Sequence, residues 1–193
     1  MLHTLTEDLA SFLSEVTHGD LGCRVAHGAG DIGDLYLRLI DQNVSVATAT
    51  AGAAMPHGQS IGPMDRASLG VSVDIRYGDA GLDVGYRRTA RLMENAFASV
   101  RDASRLVRTR GARGAVDIAT LYEEQISSAV VHTWDIAQAL GGLPYQPATD
   151  VTQRILRTTV LRMTQTSATP GQGEAADDAG AFACVLSLAG RVR

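Results

Sequence analysis

Val130 to Gly141, VVHTWDIAQALG, is the stretch on which the reading of this chain turns. Its apolar residues recur at helical spacing, and Asp117 upstream is a good N-cap for a helix running to Leu140. Gly141, Gly142 and Pro144 stop that helix, as expected where a C-cap needs a residue free of β-carbon strain and proline blocks continuation. On such a helix Ser128 stands one turn before His132, and Asp135 follows three residues later, so the three side chains share neighbouring faces.

Working outward, the same period appears on both sides. Thr4 and Glu7 have capping-box spacing, and Leu5, Leu9, Phe12, Leu13 and Val16 continue the stripe to Gly19. A second helix starts at Asp31 and passes through Ile32, Leu35, Leu39, Ile40 and Val44 toward Ala54. A third is predicted over Leu82–Arg108, with Val84, Leu92, Ala96, Phe97, Val100 and Leu106 inward. A fifth covers Asp150–Thr166, and a short apolar helix lies around AFACVLSLAG at the end. Residues 55–81 break the period. They hold Pro56, Pro63 and an alternating GVSVDIRY (70–77), a short strand or extended loop in a segment long enough for a lid. SATPGQGEAADDAG (167–180) reads as a polar loop. The expectation is one all-α domain over 1–193, a four-helix bundle with additional short helices.

Composition narrows the function. The chain has 193 residues and a net charge of −4, which argues against a nucleic-acid partner. All 17 basic residues are arginine, and the absence of lysine removes Schiff-base chemistry and the Walker-type phosphate loop. Cys23 and Cys184 make no disulfide framework and lack metal-ligand spacing; Cys184 is expected buried and inert, Cys23 accessible. The N-terminus has no basic n-region and no stretch reads as a membrane span, so a cytoplasmic protein without a membrane partner is expected, with a homo-oligomer left open. The arginines at 101, 105, 108, 110 and 113 are expected to complement a helix dipole.

VVHTWDIAQALG, together with DIGDLYLRLIDQN (31–43) and the ending SLAGR (187–191), resembles the mycothiol-dependent maleylpyruvate isomerase family of the DinB-like superfamily. The resemblance implies a DinB-like bundle in which two histidines and a glutamate hold a divalent metal and leave one position open for water or a thiol. Carried over residue by residue, the later histidine falls on His132, the glutamate on Ser128 and the second-helix histidine on Arg38. One ligand of three survives. A guanidinium stays protonated, and about 4 Å from a divalent ion at an effective dielectric near ~20 it repels by roughly 8 kcal/mol. A serine hydroxyl is a poor substitute for a carboxylate.

The reading is therefore a rebuilt, metal-free pocket in a small-molecule enzyme that isomerises, cyclises or rearranges its substrate. Arg38, taken as facing the interior, would hold an anionic or enolate-like oxygen, and His132 would move a proton, oriented by Asp135 or Ser128. Tyr36, Trp134, Ser128 and Asp135 are the candidate substrate-binding residues. Each has a plainer reading: Arg38 in ion pairs with Asp34 and Asp41, His132 as a buried histidine, the aromatics as core, Asp135 as a bridge between helices. No cofactor is expected. Two alternatives stand beside this reading: a mycothiol-dependent enzyme holding a metal through His132 and other ligands, with His27 and His57 as reserve histidines, and a binding protein without turnover.

Overall fold

A computed structural model describes residues 1–25, 30–52, 81–110, 114–166 and 178–191. The chain is all-α. In order come α1 (Leu2–Glu15), a 3-10 turn (His18–Gly22), α2 (Ile32–Ala51), α3 (Leu82–Ala98), β1 (Leu106–Val107), β2 (Val116–Asp117), α4 (Ile118–Ala139), α5 (Thr149–Thr166) and α6 (Asp178–Leu188). The expected strand or loop at 70–77, the lid-like segment around it, and the reserve histidines His27 and His57 lie outside the described residues. No helix among the described residues is long and apolar enough to cross a membrane.

Local chemistry sets the helix ends. Asp31 accepts from the Asp34 backbone at 3.0 Å, and Asp34 returns the contact to the Asp31 backbone, a reciprocal box that opens α2. Asp117 accepts from Thr120 N at 2.6 Å and opens α4, while Gly141 (φ 94°) and Gly142 (φ 78°) take the left-handed conformation beyond its end. The Thr4–Glu7 box does not form. Helix α1 begins earlier, at Leu2, and Glu7 instead accepts from Arg87 Nε of α3 at 2.8 Å.

Helix α3 stops ten residues before the predicted Arg108. Ser99 N–H closes on Asn95 O at 3.1 Å, and Asp102 accepts from Ser104 N at 2.9 Å in a local turn that competes with the helix. Leu106 and Val107 then pair antiparallel with Asp117 and Val116. Leu106 is consequently 68% exposed and Val107 buried, and Val84 at the other end of α3 also faces out, so two expected inward positions are corrected. Of the arginine stretch, Arg105 serves a different helix from the one expected: its guanidinium donates to Thr50 O in the last turn of α2.

Helix α2 packs most extensively on α3, α1 lies against α3 and α4, and α5 pairs with α6. One core cluster joins Leu9, Leu13, Ile32, Leu35, Leu39, Tyr86 and Ile136; the other joins Leu5, Val46, Met93, Leu121, Val130 and Phe182. Asn43 of α2 donates to Thr89 Oγ1 of α3 at 3.1 Å, which satisfies a buried amide where the two helices meet.

Candidate functional site

The candidate residues of α4 occupy successive turns of one helix and meet three different environments. Nearest the C-terminal end is Asp135, whose side chain is 1% exposed. Arg191, just past α6, donates Nε to Oδ1 at 3.0 Å and Nη2 to Oδ2 at 2.7 Å, a bidentate fork. His132 Nδ1 lies 3.4 Å from the same Oδ2. Burial alone would raise the Asp135 carboxyl, yet the hydrogen bonds from His132 and Arg191 and the charge of Arg191 hold it below the usual carboxylate range. An ionised carboxylate only accepts, so Nδ1 carries the proton and a neutral His132 keeps Nε2 as its basic nitrogen. The His132 side chain remains 21% exposed.

One turn before His132, Ser128 accepts from Gln42 Nε2 at 3.1 Å, and the same amide nitrogen donates to Gln125 Oε1 at 2.9 Å. Thr6, Asn43 and Tyr86 are among the other walls of a small void of about 10 Å³ beside this network. The α2 residue that turns toward Ser128 is therefore Gln42, one turn beyond Arg38.

Arg38 is exposed, which corrects the expectation that it faces the interior; Leu35, Tyr36, Leu39 and Ile40 take the buried positions around it. It lines the rim of a groove of about 570 Å³ between α2, α4 and the strand-connecting loop, with Asp41, Gln42, Ser45, Arg110 and Gln125 among its walls. The plainer reading of Arg38, in ion pairs with Asp34 and Asp41, is not met among the described residues either: Asp41 pairs with Arg110 at 2.7 Å. His132 is not part of the groove lining.

Tyr36 is core, not pocket wall. It is 1% exposed, and burial followed by the nearby Asp83 charge pushes its phenol well above the ordinary range. Trp134 is half-buried and packs against the cluster of Leu5 and Phe182. Cys184 is exposed, contrary to expectation, and Cys23 is half-buried.

The divalent metal implied by the family resemblance does not fit these residues. Arg38 stands at the solvent rim, the Ser128 hydroxyl is taken by Gln42, and His132 Nδ1 faces a carboxylate already neutralised by Arg191. Among the described residues no three His, Cys, Asp or Glu side chains converge on a possible ion position. Sequence reasoning overlooked Arg191, Gln42 and Gln125. The first had a visible signal, as the arginine of SLAGR; the glutamines had only their helical offsets of four from Arg38 and three from Ser128. Comparison of the chain with protein families, with curated proteins and with solved structures finds no match.

Proposed function

We propose that this protein is a small-molecule enzyme that works by proton transfer without a metal, of isomerase or cyclase type, in a DinB-like bundle whose ligand positions have been replaced. The observation that carries this reading is a partly exposed imidazole set on a fully buried carboxylate, which is in turn locked by an arginine fork. A base oriented by a second group, itself held by a third, is an arrangement that suits general acid–base catalysis. His132 Nε2 takes a proton from an activated carbon or hydroxyl of the substrate and returns it elsewhere. Asp135 stays ionised and stabilises the imidazolium; it fixes the ring without accepting the proton. The exposed Arg38 guanidinium, which has no hydrogen bond or ion pair among the described residues, is the group that would hold a substrate carboxylate or enolate oxygen.

A second reading, a small-ligand-binding protein without turnover, is favoured by the groove of Arg38 having walls that do not include His132. One experiment separates the two. A panel of 2-oxo acids and enolisable carboxylates is incubated in deuterated buffer, with no added metal or thiol, and scored for deuterium uptake and rearranged product. The enzyme reading expects turnover of at least one compound, a loss of about 10²-fold or more in His132→Ala, and in Arg38→Ala a raised KM at little cost in kcat. Full turnover in His132→Ala sinks the assignment. Saturable binding with no exchange in the wild type selects the binding protein. Turnover that appears only after a divalent metal and mycothiol are added selects the thiol-dependent alternative carried by the family resemblance.

A further inference from the structure

A second cavity, of about 560 Å³, opens between the first turn of α1, the last turn of α3, the first turns of α4 and Arg154 of α5. It shares no lining residue with the groove of Arg38 and plays no part in the proton-transfer reading. Its volume lies within the ~300–1,000 Å³ of small-molecule sites. Leu2, Phe97, Val100, Ile118 and Tyr122 supply the apolar walls, and the rings of Phe97 and Tyr122 meet edge to face at 5.2 Å. A flat aromatic guest is the shape that adds to such a pair, because ring edges and faces are already presented in their preferred geometry.

The charged groups at the mouth decide the rest of the guest. Both carboxylates are committed within the protein. Glu94 accepts from Thr6 Oγ1 at 2.5 Å and pairs with His3 Nδ1 at 2.9 Å. Glu123 takes Arg154 through Nε and Nη2, with Thr158 as a further donor. Neither is left to bind a cation. Arg154 is different: its Nη1 has one contact, the Met1 thioether sulfur at 3.6 Å, and a thioether is a weak acceptor. The guanidinium carbon sits 5.9 Å from the Tyr122 ring centroid, so the spare donor lies at the edge of the aromatic wall.

We propose that this cavity is a ligand site for a flat aromatic molecule carrying one acceptor oxygen at its edge, the ring against Phe97 and Tyr122 and the oxygen on Arg154 Nη1. Two fluorescent probes test it: 8-anilinonaphthalene-1-sulfonate, which has the acceptor oxygens, and 1-aminoanthracene, which has fused rings and an amine but no acceptor oxygen. Each is expected to bind the folded wild-type protein with a stoichiometry of one. Ala119 is an exposed lining residue, so Ala119→Trp fills the cavity without disturbing the core and weakens both probes by about ten-fold or more. The pair Arg154→Met with Glu123→Gln removes the donor without stranding a carboxylate. It weakens the sulfonate probe about five-fold or more and leaves aminoanthracene within about two-fold. Thermal melts of all variants confirm folding. Absence of probe binding to the wild type, or undiminished binding of both probes by folded Ala119→Trp, overturns the site. Equal weakening of the two probes in the double variant, or of neither, overturns the role given to Arg154.

Discussion

Arg191 grips Asp135 across 56 residues of sequence, with Nε on one carboxylate oxygen at 3.0 Å and Nη2 on the other at 2.7 Å. The pair ties the segment after α6 to the C-terminal end of α4, and it fixes the carboxylate that faces His132. Its energetics follow from burial. Desolvating Asp135 is costly, so the pair adds little net stability when intact, but removing one partner leaves an uncompensated buried charge. Arg191→Ala is therefore expected to destabilise by about 3 kcal/mol in urea titrations. Adding Asp135→Leu to Arg191→Ala restores part of that loss, because the stranded carboxylate is gone. Strictly additive losses would show that the two groups are not coupled.

Acid titration reads the same carboxylate. The Asp135 pKa is lower in the folded protein than in the unfolded chain, where about 3.9 is ordinary. Its stabilisation is complete above the unfolded value and is lost as pH falls through that value toward the lowered folded one. Thermal midpoints are expected to fall more steeply below about pH 4 in the wild type than in Asp135→Asn, which has no carboxyl to titrate. Parallel acid limbs in the two proteins would contradict the lowered pKa.

Gln42 holds two acceptors of α4 with a single amide group. Gln42→Leu leaves Gln125, which is buried, and Ser128 without that donor, and a cost of about 1–3 kcal/mol is expected by denaturant unfolding. Arg38→Leu, one turn earlier and exposed, is expected to stay within about 0.5 kcal/mol. Equal costs would place Arg38 inside the bundle after all.

Gly85 of α3 is held small by Tyr36 of α2. A β-carbon at position 85 would lie 2.4 Å from the Tyr36 hydroxyl oxygen, closer than any real contact allows, and 3.7 Å from the ring carbon that bears it. Gly85→Ala is expected to cost about 1–3 kcal/mol, since Tyr36 is fully buried and has little room to give. In a Tyr36→Phe background the same change meets only the ring, and the better helix propensity of alanine, about 1 kcal/mol, makes it neutral or favourable. Thermal unfolding of the four proteins checks this; a cost that persists without the hydroxyl would remove Tyr36 as its cause.

Much of this architecture is legible in one dimension. Asp31, Asp117 and the Gly141–Gly142 pair mark helix ends by chemistry acting within a few residues, and periodic apolar residues mark the faces of α1, α2 and α4. Apolar spacing through Val100 and Leu106 continues past Ala98, so periodicity alone carries the third helix beyond its actual end. The competing turn at Asp102–Ser104 and the pairing of Leu106 with Asp117 and Val107 with Val116 draw on local side-chain bonds and on partners beyond the reach of the helical repeat.

Sequence by itself determined the helical class, most helix boundaries, and the placing of Ser128, His132 and Asp135 on one helix. Only tertiary structure decided what each of them meets. An offset of one helical turn, about 5.4 Å, separates Arg38 at the solvent rim from Gln42 against Ser128, and a repeat of 3.6 residues cannot say which turn faces a neighbouring helix. Likewise Asp135 finds Arg191 because the chain returns after 56 residues, a contact set by packing and not by anything adjacent to either residue.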